Sequence, residues 1–211
     1  MGLSLSWIAA RGMDRAAMLD ALGLAERGER ATMFPLPPPA KFAMFELDGW
    51  LFAMSSDHRF ASRERVCAVS HGGEAVGAYL EEHVMISGAF GASDGRLDWS
   101  VQHDPDRGME HLDTWGAPPA ALAAIYAKHL EDLRAHDDAD YVFSAPGDLA
   151  ATVCGFDPNT FDREVELIEL SVARKDMMKL REPQLSDAAA SEGATSAPRR
   201  PGLLARLFGR G

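Results

Sequence analysis

Two cysteines in 211 residues, Cys67 and Cys154, are too few to form a disulfide framework. They share no C-x-x-C spacing and have no histidine at a metal-like interval. Both are expected as reduced thiols, packed as small apolar groups. Long hydrophobic runs are missing too: none approaches the roughly 18 to 20 residues that span a bilayer. The opening MGLSLSWIAARG has no basic region ahead of its apolar run, so it does not read as a signal peptide, and the cytoplasm is the expected location. Positive charge is scarce, with 21 Lys and Arg against 32 Asp and Glu. The last 27 residues hold four arginines against Asp187 and Glu192, a surplus of two positive charges, so the net −11 leaves −13 on the rest. An acidic body repels phosphate backbones, which argues against nucleic acid and suits another protein, a basic one, as partner. The signatures H-E-x-x-H, G-x-x-x-x-G-K-[ST] and G-x-G-x-x-G do not occur. Gly91–Gly95 (GASDG) matches G-x-S-x-G but reads as a turn between strands, not the strand-to-helix elbow of a nucleophile, and no cofactor is expected.

Hydrophobic residues at 46% and charged residues at 25% are ordinary for a globular chain, and the length suits one domain plus a tail. Leu3, Leu5 and Trp7 alternate with Ser4 and Ser6, a strand pattern. Asp14 and Gly23 bracket a helix whose buried stripe is Met18, Leu19 and Leu22. Ala25 to Ala40 reads as a loop ending in a proline run. Phe42–Leu47 and Trp50–Met54 flank Asp48-Gly49, the strongest short-range hairpin signal. A short helix near Ser62–Ser70 stops at Gly72-Gly73. Glu74 to Ala89 reads as one long strand, Gly91–Gly95 as a turn, and Arg96–Asp104 as the return strand. Pro118-Pro119 open a helix with an apolar stripe that includes His129. A second helix runs from about Pro146 to Cys154. Phe161–Ala173 suits a final strand slightly better than a helix. The expected fold is therefore α+β, with a mostly antiparallel sheet. It starts in the β-α-β-β-α-β element order of a ferredoxin-like unit and adds a hairpin and C-terminal helices.

S-x-S-W-I-A at the start, EEHVM with the return strand D-G-R-x-x-W-S-V-x-H-D, and Y-V-F-S-x-P-x-x-L-A resemble a family of small uncharacterised bacterial cytosolic proteins. The resemblance covers roughly residues 1 to 160. It implies a bacterial cytosolic setting and no activity.

The segment YLEEHVMISGAF places Glu81, Glu82 and His83 within a strand-like run. With Asp94-Gly95 as a type I′ turn, Ser93 faces Arg96, Phe90 faces Trp99, Gly88 faces Val101 and Ile86 faces His103. Extending that ladder sets Glu82 opposite Arg107 and turns Glu81 and His83 to the other face with Met85 and Tyr79. Two readings follow. In one, Glu82 is an ion-paired charge at the end of the sheet and the acidic loop is solvated. In the other, Glu81, Glu82 and His83 join His103, Asp104, Asp106 and His111 in a site where a divalent metal activates water for hydrolysis. HDPDRGMEHLD is not an EF-hand loop, because Gly108 and Trp115 stand where ligands are needed.

Domain organisation is expected as one domain over residues 1–181, a disordered linker over 182–200 and a short basic amphipathic tail over 201–211. In the tail, Leu203, Leu204, Leu207 and Phe208 fall on one side of two helical turns beside Arg206. They could dock in a partner's groove or, weakly, on an anionic membrane. The leading expectation is a non-catalytic cytosolic interaction protein, immunity-like or accessory. The alternatives are the metal-assisted hydrolase and a peripheral membrane protein held by the tail.

Overall fold

The computed structural model describes residues 3–31, 41–136 and 139–173. The linker and the tail residues Leu203, Leu204, Arg206, Leu207 and Phe208 lie outside the described residues, as does the proline run.

Nine antiparallel strands form one sheet in the order β2-β9-β3-β4-β1-β5-β6-β7-β8. Its centre is β1 (Ser4–Arg11), flanked by β4 (Trp50–Ser55) and β5 (Glu74–Glu81). With β3 (Phe42–Leu47) these strands stand in the spatial order β3-β4-β1-β5, the arrangement of a split βαβ unit. Helices α1 (Arg15–Leu22) and α2 (Arg63–Val69) pack together on one face. The α1 ends are those expected: Asp14 accepts from the Ala17 N–H, and Gly23 is left-handed at φ 68°. The Asp48-Gly49 turn has both residues at positive φ, as a type I′ hairpin requires.

The core unit is extended at both edges. On one side stand β9 (Leu167–Val172) and, beyond it, β2 (Leu24–Ala31). The loop expected from Ala25 onward is thus a strand for its first part. Its sequence LAERGERA shows no alternation because an edge strand buries little. On the other side stand β6 (Ile86–Ser93), β7 (Arg96–His103) and β8 (Asp113–Gly116). The single strand expected over Glu74–Ala89 is two strands, because the chain reverses at residues 82–85, with Met85 at φ 54°.

Both faces are covered, so residues Leu5 to Ala10 of β1 are all buried. One core packs Ile8, Phe60, Val66, Val69 and Phe90 beneath α1 and α2. The other packs Leu5, Trp7, Phe45, Phe52 and Phe156 with α4 (Ala145–Cys154), and partly buried Leu122 and Ile125 of α3 (Ala121–Ala135) close over it. Trp7 meets Phe156 edge-on at 5.6 Å, and Phe45 stacks on Phe52 at 4.6 Å. Both cysteines are free thiols, and burial pushes Cys154 up to about 11.

The expected register of the β6–β7 hairpin holds only next to its turn. Ser93 does pair with Arg96 and Ala92 with Leu97, but then a bulge at Asp98 shifts the ladder, so Gly91 pairs with Trp99 and Phe90 with Ser100. The Asp98 carbonyl leaves the β6–β7 ladder to accept the Ala117 N–H at 3.1 Å, and its carboxylate accepts from Ser93 Oγ at 2.7 Å. One extra residue turns every later side chain over. Trp99 therefore joins the α3–α4 core and Phe90 the α1–α2 core, on opposite faces of the sheet. A Cβ at Gly91 would lie 2.1 Å from Trp99 Nε1, so glycine is what lets the indole lie on β6.

Candidate functional site

Glu81 ends β5 with 8% of its surface exposed. Its carboxylate accepts from His83 twice, at Nδ1 (2.5 Å) and the backbone N–H (3.1 Å), and meets His58 Nδ1 at 2.9 Å. Burial alone would raise this carboxyl. Hydrogen bonds from Ser4, His83 and His58 outweigh it and hold Glu81 at about 2. An ionised carboxylate thus sits between two imidazoles. His58 comes from the short 3-10 turn His58–Phe60, which is fixed by hydrogen bonds at Asp57: Ser6 Oγ donates to its carbonyl, and its N–H donates to Ser55 Oγ. The sequence offered no partner for His58, because the two residues are 23 positions apart and meet only through the β1–β5 pairing.

Glu82 does not face Arg107. It closes a reciprocal pair with the start of β1: the Leu3 N–H donates to its Oε2 at 2.7 Å, and its own N–H donates to the Leu3 carbonyl at 2.9 Å. Arg107 is ion-paired with Asp113. Glu81 does share a face with Tyr79, as expected, but Met85 packs against the opposite core.

His103 is 1% exposed and lies on the α3–α4 face, two residues beyond Val101. Its Nδ1 donates to the His111 carbonyl at 2.7 Å, and its Nε2 meets Asp140 Oδ2 at 2.8 Å. Both ring nitrogens thus face oxygens, which fixes the orientation of the imidazole. Asp140 also accepts the Phe143 N–H at 3.2 Å. His111 Nδ1 accepts the Asp104 N–H at 3.0 Å, and Asp104 Oδ1 accepts the Asp106 N–H at 3.0 Å. This second group organises the connection between β7 and β8.

The seven residues singled out in sequence therefore do not converge. Glu81 and His83 lie on the α1–α2 face and His103 on the other. No group of three or more His, Cys, Asp or Glu side chains among the described residues is placed to hold a metal. His129 is tied by Nε2 to Asp148 at 2.7 Å, which clasps α3 to α4.

Near Glu81 the α1–α2 face opens into a cavity of about 370 Å³ between the sheet and the start of α2. Its walls include His58, Arg63, Tyr79, Ile86, Phe90 and Gln102. Sequence reasoning singled out none of these as functional, and Gly88 was the available signal. A Cβ there would lie 2.5 Å from the Tyr79 ring, so the tyrosine can cross β6 only over a glycine. Tyr79 then meets Gln102, whose Nε2 donates to the phenol oxygen at 3.3 Å.

The outer strand β8 is exposed at all four residues. Large exposed apolar side chains among the described residues are Val84, Met109 (44%) and Trp115 (55%). Met109 lies in the β7–β8 connection and Trp115 on β8 itself. Trp115 pairs with Ser100 and so points to the α1–α2 face. The other edge differs: β2 carries Glu26, Arg27 and Arg30, and its ladder shifts between Glu26 and Arg30. Charges and irregular pairing protect an edge from further strands. No helix of the described residues is long and apolar enough to cross a membrane.

Comparison with protein-family models, with curated proteins and with solved structures returns no match.

Proposed function

We propose that this is a non-catalytic cytosolic interaction protein, immunity-like or accessory, that docks a basic partner segment along β8. The observation that carries the reading is the asymmetry of the two edges. The β2 edge is charged and irregular, whereas β8 sets an exposed tryptophan on its outermost strand. An extended segment added there gains main-chain hydrogen bonds, and Trp115 supplies an aromatic anchor of the kind that dominates interfaces. The charge of −13 on residues 1–184 favours a basic segment over an acidic one. The test uses the full-length protein and its Trp115→Glu variant as paired baits. The retained partner is identified, produced separately and titrated by calorimetry. Trp115→Glu is expected to weaken binding by about tenfold or more, and His83→Ala to leave it unchanged. A partner that binds both baits equally tightly, or no retained protein at all, overturns the reading.

A further inference from the structure

The cavity on the α1–α2 face has the size and make-up of a small-molecule site, with an apolar floor and a few convergent polar groups. Three cross-strand rows build it. Phe90 and Ser100 form the first, and Arg63 spans it, with Nη2 donating to Ser100 Oγ at 3.2 Å and the guanidinium 6.0 Å from the Phe90 ring centre. Tyr79, Gly88 and Gln102 form the second, and Glu81 and Ile86 the third. Gln102 donates to the Tyr79 oxygen, so the phenolic proton is left to donate elsewhere. Burial pushes the Tyr79 phenol up, which keeps that proton in place. His58 engages Glu81 through Nδ1 and also lines the cavity.

The charges select the ligand. Arg59 is occupied by Asp57, with contacts at 3.1 and 3.3 Å. Among the described residues Arg63 hydrogen-bonds the neutral Ser100 hydroxyl, and Glu64, which feels the Arg63 charge, also lines the cavity. One available guanidinium matches one negative charge. A phosphate dianion would have half its charge unmatched beside Glu64 and Glu81. We infer that this cavity binds a small organic monoanion, a carboxylate on an apolar, ring-sized body. The carboxylate lies between Arg63 and the Tyr79 hydroxyl, and the body rests on Phe90 and Ile86. Arginine recognises a carboxylate through paired N–H groups, and the tyrosine adds a third donor.

The site does not rest on the β8 interface, and its test uses probes of its own. Nitrogen-15-labelled full-length protein is titrated with benzoate, with neutral benzamide and with inorganic phosphate, and read by amide correlation spectra. Benzoate is expected to give saturable shifts centred on Tyr79, Ser100 and Gln102, with millimolar affinity. Benzamide and phosphate are expected to bind at least about tenfold more weakly. Tyr79→Phe keeps the ring over Gly88 and removes only the hydroxyl, and it is expected to weaken benzoate about fivefold or more. Arg63→Gln should lose it. If Arg63→Gln disturbs α2, Tyr79→Phe decides. No saturable shift up to about 50 mM benzoate, equal binding of benzamide or phosphate, or unchanged affinity in a folded Tyr79→Phe protein overturns the proposal.

Discussion

At the scale of the residue, Glu81 makes the sharpest claim. Its ordinary carboxyl value is 4.5 and its folded value about 2, so the folded state holds the charged form more tightly than the unfolded chain does. That stabilisation is complete above the unfolded value and is lost as pH falls from about 4.5 toward about 2. Glu81→Gln should cost about 1 to 3 kcal/mol near neutrality, because it removes the charge and one of the two acceptor oxygens that four donors from Ser4, His58 and His83 share. Urea midpoints of wild type and variant, followed downward through that window, should converge. Parallel curves would show that the carboxylate is not a source of the acid sensitivity. Glu82→Gln should be milder, because the amide oxygen can still accept from the Leu3 N–H. Trp99→Ala should cost about 3 to 5 kcal/mol by thermal or chemical unfolding, since the indole is buried in the α3–α4 core.

At the scale of the element, most of what was legible came from local signals. The Asp14 cap, the Gly23 stop and the Asp48-Gly49 turn each act within a few residues and stand where expected. The bulge at Asp98 was not legible, because its causes are distant: the Ala117 N–H that takes the Asp98 carbonyl, and the bare Gly91 that receives Trp99. Strand β2 was missed because an edge strand that meets solvent has no alternation to read. The EEH segment interrupts a strand-like run. Its true partners, His58 for Glu81 and Leu3 for Glu82, come from other parts of the chain. Gly91→Ala tests the bulge directly. A methyl group there must displace the Trp99 indole, so destabilisation should approach that of Trp99→Ala, and the double variant should cost far less than the two single changes combined. Additive costs would mean that the two residues are not in contact.

At the scale of the whole molecule, every described strand and helix lies between Ser4 and Val172. Deleting residues 185–211 is expected to leave the melting temperature within about two degrees of the full-length protein. A chain ending at residue 160 lacks β9 and should not hold β2 or the open side of β3. The same full-length and shortened pair tests the tail. Co-sedimentation with anionic vesicles that is lost on truncation, and weakened by salt, would support docking by Leu203, Leu204, Leu207 and Phe208.

The position of β9 has a further consequence, for the order of events in folding. Among the described residues, strand β2 pairs only with β9, whose residues are made some 140 positions later in the chain. During synthesis β2 therefore emerges early and waits for its neighbour, while β3 keeps one side unpaired. Closing so long a loop is entropically costly, and contacts of such wide separation slow folding. Pulse-labelled hydrogen exchange during refolding should find the β1, β4 and β5 amides protected first and those of β2 last. Simultaneous protection of β2 and β1 would show that the edge does not wait.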